Sequence, residues 1–334
     1  MSVSVGVVSR KPQSRRQISR ALVSGGLAVE FADDAEGLGA LRVSKEVQLV
    51  VIDSDLEVAE EIADLIARIR ASGPPVPVVL LSLGEHKSAL IELFRQRDIV
   101  NLVAKHGAVR AVYPVLDERE LLVTCKKVTE QDIFGIEKYI GGFGPRLHRE
   151  TLGAMAEKQP AIARLERYLT SLACPAGVIP DILNVADELM LNAIVHAPRN
   201  PDGSGRYEKI GPSPSLMLDP HERVSFSYGC DGQRFILGVS DNFGRLGRET
   251  LYQYVAKGFG DEKLAPEDKA SGAGLGLTLA LRSIHQLVFN IQVNERTECI
   301  AGWYLRVSNA KEFRQVGKSF NLFWLPEGAR PLAR

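Results

Sequence analysis

Within the first 127 residues one pattern recurs: a short apolar run, then a longer stretch with helical periodicity. Ser4-Val5-Gly6-Val7-Val8 is such a run, and residues 12–23 follow it as a helix that Pro12 opens, at a position the first turn tolerates. Residues 27–31 read as a strand and 36–43 as a short helix. After Gln48, Leu49-Val50-Val51-Ile52 is continuously apolar and ends at Asp53, which suits a parallel strand buried on both faces. Helices over 56–70, 85–97 and 118–127 and strands over 76–81 and 99–103 complete the series. Five strands with interleaved helices predict an α/β fold built on a doubly wound, five-stranded parallel sheet.

The chain has 334 residues, so a second domain is expected beyond this one. Its 45% hydrophobic and 25% charged residues exclude disorder. Lys+Arg and Asp+Glu are both 41, which removes any general electrostatic reason to bind nucleic acid or acidic lipid. Cys125, Cys174, Cys230 and Cys299 form no CxxC pair, so reduced thiols are expected rather than a disulfide framework or zinc ribbon. No run approaches the ~20 apolar residues of a membrane helix. Near the start, charge follows the apolar run, the reverse of a secretory signal. A cytoplasmic protein with no membrane insertion is the expectation.

Asp53 at the carboxyl end of the third strand, Ser82 after the fourth and Lys105 after the fifth resemble the phosphoacceptor, hydroxyl residue and lysine of bacterial response-regulator receiver domains. The acidic pair that holds Mg²⁺ in that family is replaced by Ser9 and Arg10. A divalent ion needs several hard oxygen ligands, and phosphoryl transfer without it loses its main charge stabilisation. The departure points to a pseudo-receiver used for docking, with a cation beside Asp53 in place of the metal.

Gly135, Gly141, Gly142 and Gly144 mark a boundary, and residues 147–157 and 162–172 read as two short helices. Only 48 residues separate Ile140 from Glu188, and Pro160 interrupts them. Two long antiparallel helices do not fit there, so His148 reads as an exposed helix histidine rather than a phosphoacceptor. Residues 180–197 form a strong helix crossed by a polar stripe, Asn184, Glu188, Asn192 and His196, at the four-residue spacing that shares one face. A hairpin follows, residues 224–228 and 234–240 around Asp231-Gly232, ending at Asp241-Asn242-Phe243-Gly244. Gly272, Gly274 and Gly276 then precede a helix expected over 277–289, an arrangement whose backbone amides can close around phosphates. Gly317-Lys318-Ser319 lacks the leading glycine of a P-loop, because Glu312 stands in its place.

Together these elements resemble the GHKL ATPases, the superfamily of gyrase, histidine kinases and mismatch-repair proteins. Residues 186–193 are similar to its N box, 241–244 to its G1 box, 272–276 to its G2 box, and Gly317-Lys318-Ser319-Phe320 with Leu325-Pro326 to its terminal strand. The resemblance implies a two-layer α/β sandwich that binds ATP with Mg²⁺. It implies that Asp241 accepts from the adenine amino group, Asn192 holds the metal, and Gly272, Gly274 and Gly276 cradle the phosphates. It places Gly244 and Ser319 at the nucleotide, residues 245–270 in a lid, and Glu188 near the γ-phosphate as general base. One residue is inserted in the G1 box relative to the family pattern, which bears on Gly244.

The domains expected are a receiver-like unit over 1–128, a helical linker over 129–178 and an ATP-binding unit over 179–330. Within the superfamily the chain is most similar to anti-sigma-factor kinases, which phosphorylate a serine on a protein partner. Two functions compete: an ATP-dependent serine/threonine kinase acting on a regulatory protein, and a catalytically silent nucleotide-sensing adaptor that docks partners. A histidine kinase comes third. Each implies a protein partner, and a homodimer is compatible with all three.

Overall fold

The computed structural model describes residues 2–54, 59–82, 100–106, 115–141, 146–172, 174–200, 202–251, 283–305 and 316–332. The chain divides into two compact units, one formed by Met1–Ile133, Gly317–Phe323 and Arg330–Arg334, the other by Phe134–Val316 and Trp324–Ala329.

The first unit carries the expected parallel sheet. Strands β1 (Ser4–Val8), β2 (Ala28–Ala32), β3 (Leu49–Asp53), β4 (Val78–Ser82) and β5 (Asn101–His106) lie in the order β2-β1-β3-β4-β5, every pair parallel. This 2-1-3-4-5 order is that of receiver-like doubly wound folds, with its switch point between β1 and β3. All five residues of β3 are buried, which is why that segment is continuously apolar. Helices α1 (Pro12–Ser24), α2 (Ala35–Lys45) and α3 (Ala59–Ala71) alternate with the strands. A short strand β6 (Val115–Leu116) pairs antiparallel with β5 and leads into α4 (Glu118–Glu130). Asp34 and Asp117 cap α2 and α4, accepting from the Gly37 and Glu120 amides at 2.8 Å. The helix expected over 85–97 lies outside the described residues.

The second unit holds an antiparallel sheet. Its strands are β7 (His148–Leu152), β8 (Val224–Cys230), β9 (Arg234–Asp241), β10 (Gln286–Gln292) and β11 (Arg296–Tyr304), in the order β10-β11-β9-β8-β7. Helices α5 (Lys158–Ser171) and α6 (Ile179–Leu191) pack on each other, and α6 on β9. The Asp231-Gly232 turn joins β8 to β9 as expected, with Gly232 at φ +86°. Among the described residues no helix is long and apolar enough to cross a membrane.

Three expectations need correction. Residues 148–152 form β7 and not a helix; their burial alternates with period two, Leu152 is buried, and pairing with β8 overrides local helix propensity. His148 is accordingly half-buried, stacked on Tyr228 with ring centroids 4.9 Å apart. The helix expected to run to residue 289 cannot do so, because β10 begins at Gln286; residues 277–282 lie outside the described ones. The strand at the end of the chain, β12 (Ser319–Leu325), begins in the first unit, where Phe320 and Asn321 pair antiparallel with Leu102 and Asn101 of β5.

Candidate functional site

Two places gather the residues singled out above, one in each unit. In the first, Asp53 closes β3 at the carboxyl edge of the sheet, where doubly wound folds bind ligands. Asp53, Ser82 and Lys105 are all buried. The Ser9 hydroxyl donates to Asp53 Oδ2 at 2.9 Å, and the Lys105 ammonium donates to Oδ1 and also to Ser14 Oγ at 3.3 Å. Both carboxylate oxygens are therefore engaged by protein donors. Arg10 does not contribute as expected: its Nε donates to the Asp33 carbonyl at 3.3 Å, and the cation beside Asp53 is Lys105. Among the described residues no group of three or more His, Cys, Asp or Glu side chains could hold a metal ion. A hydroxyl and an ammonium around one carboxylate make a poor divalent-cation site.

In the second unit a cavity of about 260 Å³ lies between α6 and its extension on one side and β9, β10 and β11 on the other. α6 passes into a single π turn, Asn192–His196, in which the Ala197 N–H reaches the Asn192 carbonyl at 2.9 Å. Such turns are frequent at functional sites because the added residue re-aims side chains. Asn192, Ala193, His196 and Ala197 all line the cavity. From the sheet come Asp241 and Thr297, which face each other across β9 and β11. Leu189, Val239, Phe289 and Cys299 supply apolar wall. The residues after β9, Arg245, Leu246, Gly247 and Thr250, form another side.

Asp241 is 7% exposed. Burial pushes its carboxyl up to about 6, against hydrogen bonds from the Phe243 and Gly244 amides and from Thr297 that favour the charged form. The Phe243 amide lies 2.9 Å from Oδ1. The cavity thus presents the buried Asp241 carboxylate, oriented by its own loop, beside the apolar wall. Such a group accepts directionally from a ligand N–H.

Of the other expected residues, Glu188 is half-buried on α6 but is not part of the cavity lining. Burial and the neighbouring Asp187 raise its carboxyl above the ordinary range, offset by Lys158 and His196. Lys158 is itself held by Asp187 at 2.5 Å. Gly244 sits at φ +58°, and a Cβ there would lie 1.9 Å from the Gln292 carbonyl oxygen, so its role is to close β9 against the turn between β10 and β11. Ser319 belongs to the first unit, its Oγ accepting from the buried Ala104 N–H at 2.8 Å, and is not among the residues that line this cavity. Gly272, Gly274 and Gly276 lie outside the described residues. Thr297 was not singled out from sequence; its place opposite Asp241 is set by the register of β11 on β9, for which the sequence around it carries no local signal.

No protein-family model and no curated protein matches the sequence. Solved structures do. The signal receiver domain of an HD domain-containing protein from Pseudomonas fluorescens is 21% identical, covering 39% of this chain and 97% of its own, with a TM-score of 0.33. A response regulator from Thermotoga maritima is 23% identical over 38% of this chain and 98% of its own, TM-score 0.31. NtrX from Brucella abortus is 18% identical over 50% of this chain and 35% of its own, TM-score 0.32. The receiver-like fold of the first unit rests on its own strand order and register, which stand without them.

Proposed function

We propose that the second unit is a GHKL-type nucleotide site that binds ATP with Mg²⁺ and transfers phosphate to a hydroxyl on a protein partner. The observation that supports this most is the common lining of one cavity by Asn192 and Asp241, residues on separate elements and far apart in sequence. In this reading the Asp241 carboxylate, with Thr297 bonded to it, accepts from the adenine amino group. The Asn192 side-chain oxygen is the ligand this chain offers to Mg²⁺. Bound with the phosphates, the ion offsets their charge. Glu188, one turn before Asn192, takes the proton from the attacking hydroxyl as its oxygen bonds to the γ-phosphorus and ADP leaves; burial and Asp187 raise its carboxyl above the ordinary range, the direction that makes a carboxylate a stronger base.

The chain acts, in this proposal, in the bacterial cytoplasm as a signalling kinase of the serine/threonine type. The test is incubation of the full chain with γ-labelled ATP and candidate partner proteins. An acid-stable label on the partner is expected, lost in Glu188→Gln by ~10²–10⁴-fold. An acid-labile label that disappears in His148→Ala would contradict it.

A second reading, a silent nucleotide-sensing adaptor, is favoured by one observation: both oxygens of Asp53 are taken by Ser9 and Lys105. The first unit then docks partners without being phosphorylated. Acetyl phosphate with Mg²⁺ should leave the intact mass unchanged. A stoichiometric gain that disappears in Asp53→Ala would show an ordinary receiver.

A further inference from the structure

The cavity of the second unit has a rim for which the roles given above have no use. Beyond the π turn the chain makes a tight hairpin. The Arg206 N–H donates to the Pro198 carbonyl at 3.0 Å, the Asn200 N–H to the Ser204 carbonyl at 2.9 Å, and Arg199 bridges Gly205 antiparallel. Asp202 accepts from the Ser204 amide and hydroxyl at 2.9 and 2.6 Å, which closes the tip. Behind it, Tyr207 is buried and donates its hydroxyl to Glu222 at 2.6 Å, and Glu222 is buried in turn. Arg206 adds a bond to the same carboxylate at 2.7 Å. This is a fixed wall.

Two of its side chains, Arg199 and Glu208, line the cavity, and Arg199 donates to Glu208 Oε1 at 2.9 Å. Their side chains are 33% and 46% exposed, which places the pair at the mouth rather than on the floor.

The hairpin's place relative to the ligand follows from the lining of the cavity. The chain leaves the helix after His196, and Arg199 and Glu208 then line the same cavity as Asp241 and Asn192. In the nucleotide reading, with phosphates toward Asn192 and the base amino group on Asp241, the hairpin is assigned to the nucleoside end. Glu208 offsets the charge of Arg199 and orients its planar fork. A guanidinium neutralised in this way is a weak phosphate clamp but keeps spare N–H donors in a fixed plane.

We infer that Arg199, held by Glu208, is a second recognition residue for the nucleoside half of the ligand, donating to ring-nitrogen or ribose-oxygen acceptors. The inference rests on the nucleotide reading of the cavity. Calorimetric titration of the full chain with adenosine and with Mg-ATP tests it. Arg199→Ala weakens both ligands by the same factor, about tenfold, as loss of a charge-assisted hydrogen bond at a part-exposed site does. Arg199→Lys, which keeps the charge and serves if the alanine variant does not fold, weakens both by a smaller, equal factor. In Asn192→Ala the loss is larger for Mg-ATP than for adenosine. Wild-type affinity in both Arg199 variants, or a loss confined to ATP, overturns the assignment while leaving the nucleotide site in place. Binding of neither ligand by the wild type overturns the nucleotide reading itself, and this inference with it.

Discussion

A buried carboxylate beside an apolar cavity wall is held there against its own solvation, and Asp241 bears that strain. Burial pushes its carboxyl from the ordinary 3.8 up to about 6. Between those values the folded protein binds the proton more tightly than the unfolded chain, so stability falls as pH rises through this window. The shift corresponds to up to about 3 kcal/mol lost by neutral pH. Asp241→Asn keeps an acceptor for the Phe243 amide and removes the charge. It should therefore raise the melting temperature of the nucleotide-free protein at pH 7.5, with the gain vanishing near pH 4. A lower melting temperature at pH 7.5 would show that the charge is stabilised where it sits. A residue that costs stability and lines a cavity belongs to function before architecture. Asp241 was legible in the sequence from the hairpin ahead of it, whereas Thr297 was not. Its place opposite Asp241 is a matter of register between β9 and β11, which no local motif encodes.

At the scale of elements, legibility followed burial. Strands buried on both faces, β3 and β4, were visible as apolar runs. Strand β7 reads His-Arg-Glu-Thr-Leu, with one buried residue, and only its pairing with β8 makes it a strand. The end of α6 was read as a continuous helix because a π turn leaves no mark in an apolar, helix-compatible segment. The inserted residue in the loop after β9 left the part played by Gly244 open, and the backbone answers it. Gly244 adopts φ +58°, and any Cβ would meet the Gln292 carbonyl oxygen and the amides of Glu295 and Arg296. Gly244→Ala should thus destabilise the second unit by more than the ~1–2 kcal/mol of a left-handed alanine alone. It should also lower nucleotide affinity, because the same loop orients Asp241. Chemical denaturation followed by Trp303, buried in β11, reads the first effect. An unchanged midpoint would mean that the turn relaxes without cost.

For the whole molecule, the order of the chain does not follow the order of its units. The segment expected to finish the second unit begins in the first: Ser319 bonds Ala104, the Leu322 N–H donates to the Val100 carbonyl at 2.9 Å, and the Leu332 N–H to the Glu130 carbonyl at 2.9 Å. Sequence could not show this, because Gly-Lys-Ser-Phe before an apolar run suits any antiparallel strand, and its partner lies more than 200 residues earlier. Ser319→Ala strands the buried Ala104 amide, so a loss of ~1–3 kcal/mol is expected with nucleotide affinity unchanged. A fall in affinity without a fall in stability would return Ser319 to the nucleotide. The two units also differ in how open their sites are: in the first a lysine and a serine fill the coordination of Asp53, and in the second Asp241 faces a cavity. The nucleotide-binding role assigned to that cavity is tested most directly by calorimetric titration of Mg-ATP into the full-length wild type and into Asp241→Asn, side by side. Saturable one-site binding by the wild type, weakened in Asp241→Asn, is expected; no binding, or equal binding by both proteins, would contradict it.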